Sequence, residues 1–148
     1  MGDVYTDIGA IQHAPTPATL SSPALDSGKI RVVEAIYEAA SLAAASVIKI
    51  CKLYRGEIVL LDSYIIVDAL GSGTTIEIGD DDDTVAVDPN RYLEASSCSS
   101  AAVIQFNDVV TCIDKVPYKI AKDVCWCQGV TADEMTGTLQ FSMRIVRE

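Results

Sequence analysis

The chain has 148 residues, 49% hydrophobic and 22% charged, which is enough for one hydrophobic core and too apolar for a disordered polymer. Eleven Lys and Arg against 21 Asp and Glu give a formal net charge of −10. The few cations are scattered, so binding of nucleic acid by counterion release is not expected.

The opening MGDVYTDIGAIQ has neither the basic nor the apolar region of a secretory signal. The longest apolar stretches are interrupted by Lys49, Lys52, Asp62 or Asp68, too short to span a bilayer as helices. Synthesis in a cytoplasm and no membrane association are the expectations. Residues 1–28 read as an extended N-terminal arm, because Pro15, Pro17 and Pro23 fix φ and remove donors through PATLSSPALDSG. Ile8, Ile11, Leu20 and Leu25 are too many apolar residues for a solvated tail, so the arm is expected to dock on its own domain or on a partner.

From residue 29 to residue 148 the texture is that of a β domain. Arg31 to Ala39 is rich in β-branched and aromatic residues, with its Glu and Ala content leaving a helix open. In SVIKICKL, residues 46–53, Lys49 and Lys52 fall on opposite faces of a strict strand, which predicts a bulge or a twist. Tyr54-Arg55-Gly56 reads as a turn. Glu57 to Leu70 carries the strongest strand signal, with Val59, Leu61, Ser63, Ile65, Val67 and Ala69 on one face. Fourteen residues is long for one strand, so a kink is expected near Asp62-Ser63.

Gly71-Ser72-Gly73 reads as a hairpin turn into Thr74–Ile78, where Thr74, Ile76 and Ile78 face one way. Asp80 to Asp83 follows, within a stretch (Asp68 to Glu94) that holds eight of the 21 acidic residues against the single base Arg91. Asp88-Pro89 has the pattern of an N-cap and first helical residue, predicting a short helical turn to Glu94. Ala101–Asn107 and Val109–Ile113 are short strands. In Asp123–Val130, Val124, Trp126 and Gln128 share one face and Cys125 and Cys127 the other. Thr131 to Gly137 is a loop, and Thr138–Glu148 closes the chain as an amphipathic antiparallel strand. About eight short strands without a βαβ rhythm predict an all-β antiparallel sandwich of jelly-roll type.

No pattern carries a reaction. Four adjacent aspartates attract the idea of a calcium site, but the EF-hand spacing fails, with no Gly at the sixth position and Arg91 at the twelfth. A solvated, self-repelling loop is the expectation. Nucleophilic catalysis lacks a base, since the one histidine, His13, lies in the arm. The Gly-Ser-Gly segment has no P-loop lysine, and Trp126 reads as core rather than as a binding platform. No enzyme, metal or cofactor is expected. The five cysteines, Cys51, Cys98, Cys112, Cys125 and Cys127, show no zinc spacing. They read either as buried reduced thiols or as disulfide cross-links within or between subunits.

The arm GDVYTDIGAIQHAPTPATL, the segments SVIKICKL and EIVLLDSYIIVDALGSGTTIEIG, and DPNRYLEASS followed by AAVIQF resemble small structural proteins of tailed bacteriophages. The resemblance covers most of the chain. It implies a virion protein with a jelly-roll-like fold: a capsid decoration (cement) protein, often trimeric, bound to the major capsid protein on the outer surface of the head. The thiols would then be available as clamps after the particle leaves the host cytoplasm. The alternative is a head-fibre, tail or baseplate component that contacts a receptor.

Overall fold

The computed structural model describes residues 2–13, 30–106 and 118–147. These residues hold ten strands and one helix in the order β1 (Asp3–Tyr5), α1 (Asp7–His13), β2 (Ile30–Leu42), β3 (Val47–Tyr54), β4 (Glu57–Val59), β5 (Tyr64–Val67), β6 (Thr75–Asp80), β7 (Asp88–Ser97), β8 (Ala102–Gln105), β9 (Val124–Ala132) and β10 (Met135–Arg147). One sheet has the order β1-β3-β9-β6-β7, the other β2-β10-β5-β8, with β4 also on β10. β4 and β5 lie in line along β10, opposite Ile145–Arg147 and Leu139–Ser142 respectively. Counted as one bent strand, they leave eight strands from β2 onward among the described residues. The sheets then read first-eighth-third-sixth and second-seventh-fourth-fifth, which is the jelly-roll arrangement. The predicted all-β sandwich is the fold observed.

Alternation builds the core. Val33, Ala35 and Ala39 of β2 and Leu139, Phe141, Met143 and Ile145 of β10 are buried, while Glu34, Ile36 and Glu38 between them on β2 are exposed. From the other sheet come Ile48, Cys51 and Leu53 of β3, Ile76 and Ile78 of β6, and Cys125 and Cys127 of β9. Small Ala and Cys side chains let the sheets approach where Phe141, Phe106 and Tyr92 fill the remaining space.

The predicted kink in residues 57–70 is present, and its cause is visible. β4 ends at Val59 and β5 starts at Tyr64. The buried Ser63 hydroxyl accepts from Arg144 N (2.9 Å), standing in for the ladder partner lost at the bend, while Ser63 O accepts from Phe106 N (3.1 Å). The irregularity expected from Lys49 and Lys52 is a register shift between Lys49 and Cys51 in the β3–β9 pair. It leaves Ile48, Ile50, Cys51 and Leu53 all buried.

Three local expectations are corrected. Gly71-Ser72-Gly73 closes no hairpin, since β5 pairs with β10 and β8 whereas β6 pairs with β9 and β7; the turn carries the chain from one sheet to the other. The segment Asp88–Glu94 is not a helical turn but the first part of β7, paired with β6. Pairing with β6 outweighs the local helix-start pattern, because Tyr92 and Leu93 gain full burial only on the strand. The loop expected from Thr131 to Gly137 shrinks to a tight corner at Asp133 and Glu134 between β9 and β10.

The described helix lies in the arm. β1 runs parallel to β3, and Thr6 N donates to Lys49 O (3.0 Å). Gly9 sits where any Cβ would collide with Lys49 O, so α1 rests directly on the β3 backbone. Asp7 accepts from the edge of β2 at Ile36 N (3.0 Å). The predicted strand at residues 109–113 lies outside the described residues.

Candidate functional site

The four aspartates expected to form a solvated loop do something else. Asp80 and Asp82 have no accessible surface, whereas Asp83 is exposed. The strand explains the alternation: Ile76 and Ile78 face the core from β6, and the same period carries Asp80 and Asp82 to the inner side. Each buried carboxylate is therefore saturated with donors.

Asp80 Oδ2 accepts from Arg91 Nε (2.8 Å) and Tyr92 Oη (2.7 Å), and its Oδ1 from Asp82 N (3.1 Å). Burial pushes its carboxyl above the ordinary value, against the opposing pull of Tyr92 and Arg91. Tyr92, itself buried beside that carboxylate, is held protonated well beyond the usual phenol range. Gly79 permits this frame, because a Cβ there would run into Asp88 O and Pro89 where β7 crosses.

Asp82 is the hub. Its Oδ1 accepts from Thr84 N (3.1 Å) and Thr84 Oγ1 (2.6 Å). Its Oδ2 accepts from Tyr118 Oη (3.0 Å), Ala121 N (2.9 Å) and Lys122 N (3.3 Å). Burial alone would raise this carboxyl, but the five donors, led by Thr84, hold it well below the usual carboxylate range. Arg91 completes the frame by lying 3.6 Å above the Tyr118 ring while bonded to Asp80. Asp81 meets β9 through Trp126 N and β3 through Lys49 Nζ (3.2 Å), and Asp83 pairs with Lys122 Nζ (3.1 Å). Lys49 also donates to Gln128 Oε1 (2.7 Å). The acidic run is a clasp joining β6, β7, β9 and residues 118–122, not a self-repelling loop.

A second polar group closes the far end of β3. Arg31 Nη2 donates to Glu57 Oε2 (2.8 Å) and Lys52 O (3.0 Å), and Glu57 also accepts from Tyr54 N (2.9 Å). Arg31, Tyr54, Glu57 and Arg147 line an open cleft of about 290 Å³. Arg31 Nε is buried there with no hydrogen-bond partner among the described residues. Glu57 neutralises the Arg31 guanidinium, so at that residue the cleft presents an ion pair.

Neither group is built for catalysis. Every carboxylate of the clasp is committed to fixed donors, and the nearest hydroxyls are spent as donors themselves. Among the described residues, no three His, Cys, Asp or Glu are grouped to hold a metal ion. No helix among them is long and apolar enough to cross a membrane.

The structure places the other singled-out residues as follows. Cys51, Cys98, Cys125 and Cys127 are buried free thiols. Cys51 and Cys127 are directly opposed across β3 and β9, and Cys127 Sγ lies 3.7 Å from Met143 Sδ. Burial pushes the Cys98 thiol up to about 11 and Cys125 further still. Cys112, Leu20 and Leu25 lie outside the described residues, as does the side chain of Ile11; Ile8 is half-buried against the core. Trp126 sits half-buried on the outer side of its sheet rather than in the core, edge-on to Tyr5 (5.5 Å) and under Lys52 (5.5 Å). The burial of Asp80 and Asp82 is not visible in their local charge. Extending the Thr74-Ile76-Ile78 period by two steps was the available signal.

No protein-family model matches the chain, and no curated protein matches it by sequence. Two solved structures match it nearly end to end. A chain of the structure described as the capsid of Ralstonia phage GP4 superposes with a TM-score of 0.66 at 16% identity, covering 99% of this chain and 98% of that one. A chain of the Cyanophage Pam1 capsid asymmetric unit gives 0.56 at 15% identity, covering 93% and 96%. At such identities the likeness is one of fold: this chain has the jelly-roll architecture of chains found in those two phage capsids.

Proposed function

We propose that the chain is a structural protein of a tailed-phage head, and within that class a decoration protein bound to the outside of the shell, where it braces neighbouring capsomers. The observation that carries the reading is the end-to-end match with a chain of the Ralstonia phage GP4 capsid, which leaves almost no part of either chain unaccounted for. A formal charge of −10 fits a position outside a DNA-filled shell, where attraction to the packaged polyanion would be counterproductive. The aspartate clasp stabilises the scaffold and performs no reaction, which also fits a structural role.

In this reading the partner is the major capsid protein, and the protein sits on the head as a homotrimer. Ile8 holds the arm to its own sandwich, while Ile11, Leu20 and Leu25 extend the contact onto a neighbour. The four buried thiols would need the sandwich to open before cross-linking subunits, so bracing through them is non-covalent in the folded protein.

Quantitative mass spectrometry of purified particles tests the assignment. A decoration protein is present in numbers comparable to the major capsid protein; a few copies per particle would instead make it a head-fibre, tail or baseplate component. Leu20→Ser with Leu25→Ser tests the arm while leaving β1 and α1 in place, and unimpaired head binding would remove the arm from the contact.

A further inference from the structure

The outer face of the β2–β10–β5–β8 sheet carries aliphatic side chains that nothing described in the protein covers. Even-numbered residues of β2 point away from the core, leaving Ile30 57%, Val32 37% and Ile36 47% exposed. The strand register sets Ile36 beside Gln140, Gln140 beside Ile66, and Ile66 beside Val103. With strands about 4.8 Å apart, this makes a row roughly 15 Å long across the whole sheet. Ile66 is 37% and Val103 61% exposed.

Acidic groups border that row. Glu38 and Asp68 lie on one side, each bonded to Thr138. Glu34 lies on the other, accepting from Ser142 Oγ (2.7 Å), and beyond it Asp62 pairs with Arg144 at 3.0 Å. Among the described residues this face therefore sets four carboxylates against two cations, Arg144 and, at its margin beside Ile58, Lys119. The outer face of the opposite sheet differs in chemistry, carrying basic and aromatic groups: Lys49 with Gln128 and Asp81, and Trp126 with Tyr5 and Lys52.

We infer that the Ile36–Ile66–Val103 row and its acidic border form a docking face for a basic, aliphatic protein surface, one presenting Lys or Arg beside apolar side chains. The inference rests on the head-decoration reading, in which that surface belongs to the major capsid protein. Charge decides the occupant. A second copy would set carboxylates against carboxylates on chains of formal charge −10. Lys and Arg side chains on a partner lay their methylene stems over the aliphatic row and reach the bordering carboxylates with their charged heads.

Cosedimentation with heads purified from a phage mutant lacking this chain provides the test. The Ile36→Thr/Ile66→Thr/Val103→Thr variant keeps β-branched side chains, so its Tm stays within about 2 °C of wild type. Its affinity for heads falls at least about tenfold, while Val85→Ser, an exposed site away from this sheet face, binds normally. Glu34→Gln with Glu38→Gln weakens binding and flattens its dependence on NaCl. Undiminished binding of the triple variant overturns the docking face and leaves the head reading intact. Failure of the wild type to bind heads overturns both. A wild-type oligomer that dissociates in the triple variant makes the face a self-interface, and a large drop in Tm shows that the chain itself covers the row; either result overturns the inference.

Discussion

Replacing Asp82 with asparagine keeps the shape of the side chain and removes the property that the clasp uses, two oxygens that accept everywhere. Oδ1 serves Thr84 N and its hydroxyl, while Oδ2 serves Tyr118, Ala121 and Lys122. An asparagine retains one oxygen, which settles on the side with three donors and turns its NH2 toward Thr84 N. One backbone donor is then opposed by another donor, and the remaining bonds lose their charge assistance. Bonds to a charged group contribute about 1.5–3 kcal/mol each, and an orphaned buried donor costs about 1–3 kcal/mol. The expected loss is about 2–3 kcal/mol for Asp82→Asn and about 4 kcal/mol for Asp82→Ala, which frees all five donors. For a chain of this size, Asp82→Asn lowers Tm by roughly 6–10 °C. Urea denaturation gives the energies, and hydrogen exchange at Ala121 and Lys122 reports the clasp directly. The Asp82 carboxyl is depressed in the folded protein relative to an unfolded value of about 3.9. Its contribution is therefore complete above about pH 5 and declines as pH falls below about 3.9 toward the folded value, so wild type and variant converge in acid. A loss below 1 kcal/mol for Asp82→Ala at pH 7, or unchanged exchange at Ala121 and Lys122, would refute the clasp.

Three further outcomes follow from the same geometry. Gly79→Ala forces a Cβ into the Asp88 carbonyl, so it costs at least about 2 kcal/mol in urea melts and loosens the β6–β7 ladder in hydrogen exchange; a neutral result would show that β7 yields freely. Ser63→Ala leaves Arg144 N facing a methyl group at the bend, costing about 1–2 kcal/mol, whereas a change confined to tenths would mean that the bend needs no hydroxyl. The thiols of Cys51, Cys98, Cys125 and Cys127 are shielded, and burial raises Cys98 and Cys125 above the ordinary thiol value. All four then react with a thiol reagent at pH 8 only as fast as the sandwich opens; rapid labelling of any of them, located by mass spectrometry, contradicts that burial.

The sequence by itself determined most of the strands, because side-chain direction in a strand alternates with a strict period of two. That local rule placed β3, β5, β6, β9 and β10 and an irregularity around Lys49 and Lys52, while the length of residues 57–70 called for a kink near Asp62-Ser63. Tertiary structure decided what each strand pairs with. Gly71-Ser72-Gly73 looks the same whether it closes a hairpin or crosses between sheets, and only the positions of β9 and β10 select the crossing. Asp88-Pro89-Asn90 satisfies a helix-start pattern, yet the ladder with β6 and the burial of Tyr92 and Leu93 outweigh it. The aspartate run shows the limit most plainly. Four adjacent carboxylates read as mutually repelling when only neighbours in sequence are counted. Only Thr84 and the Asp82 amide are local donors; the others come from Arg91, Tyr92, Tyr118, Ala121 and Lys122, eleven to forty positions away, and from Lys49 and Trp126 on other strands. Charge is written in the sequence, whereas its solvation and pairing are set by the fold that gathers the donors.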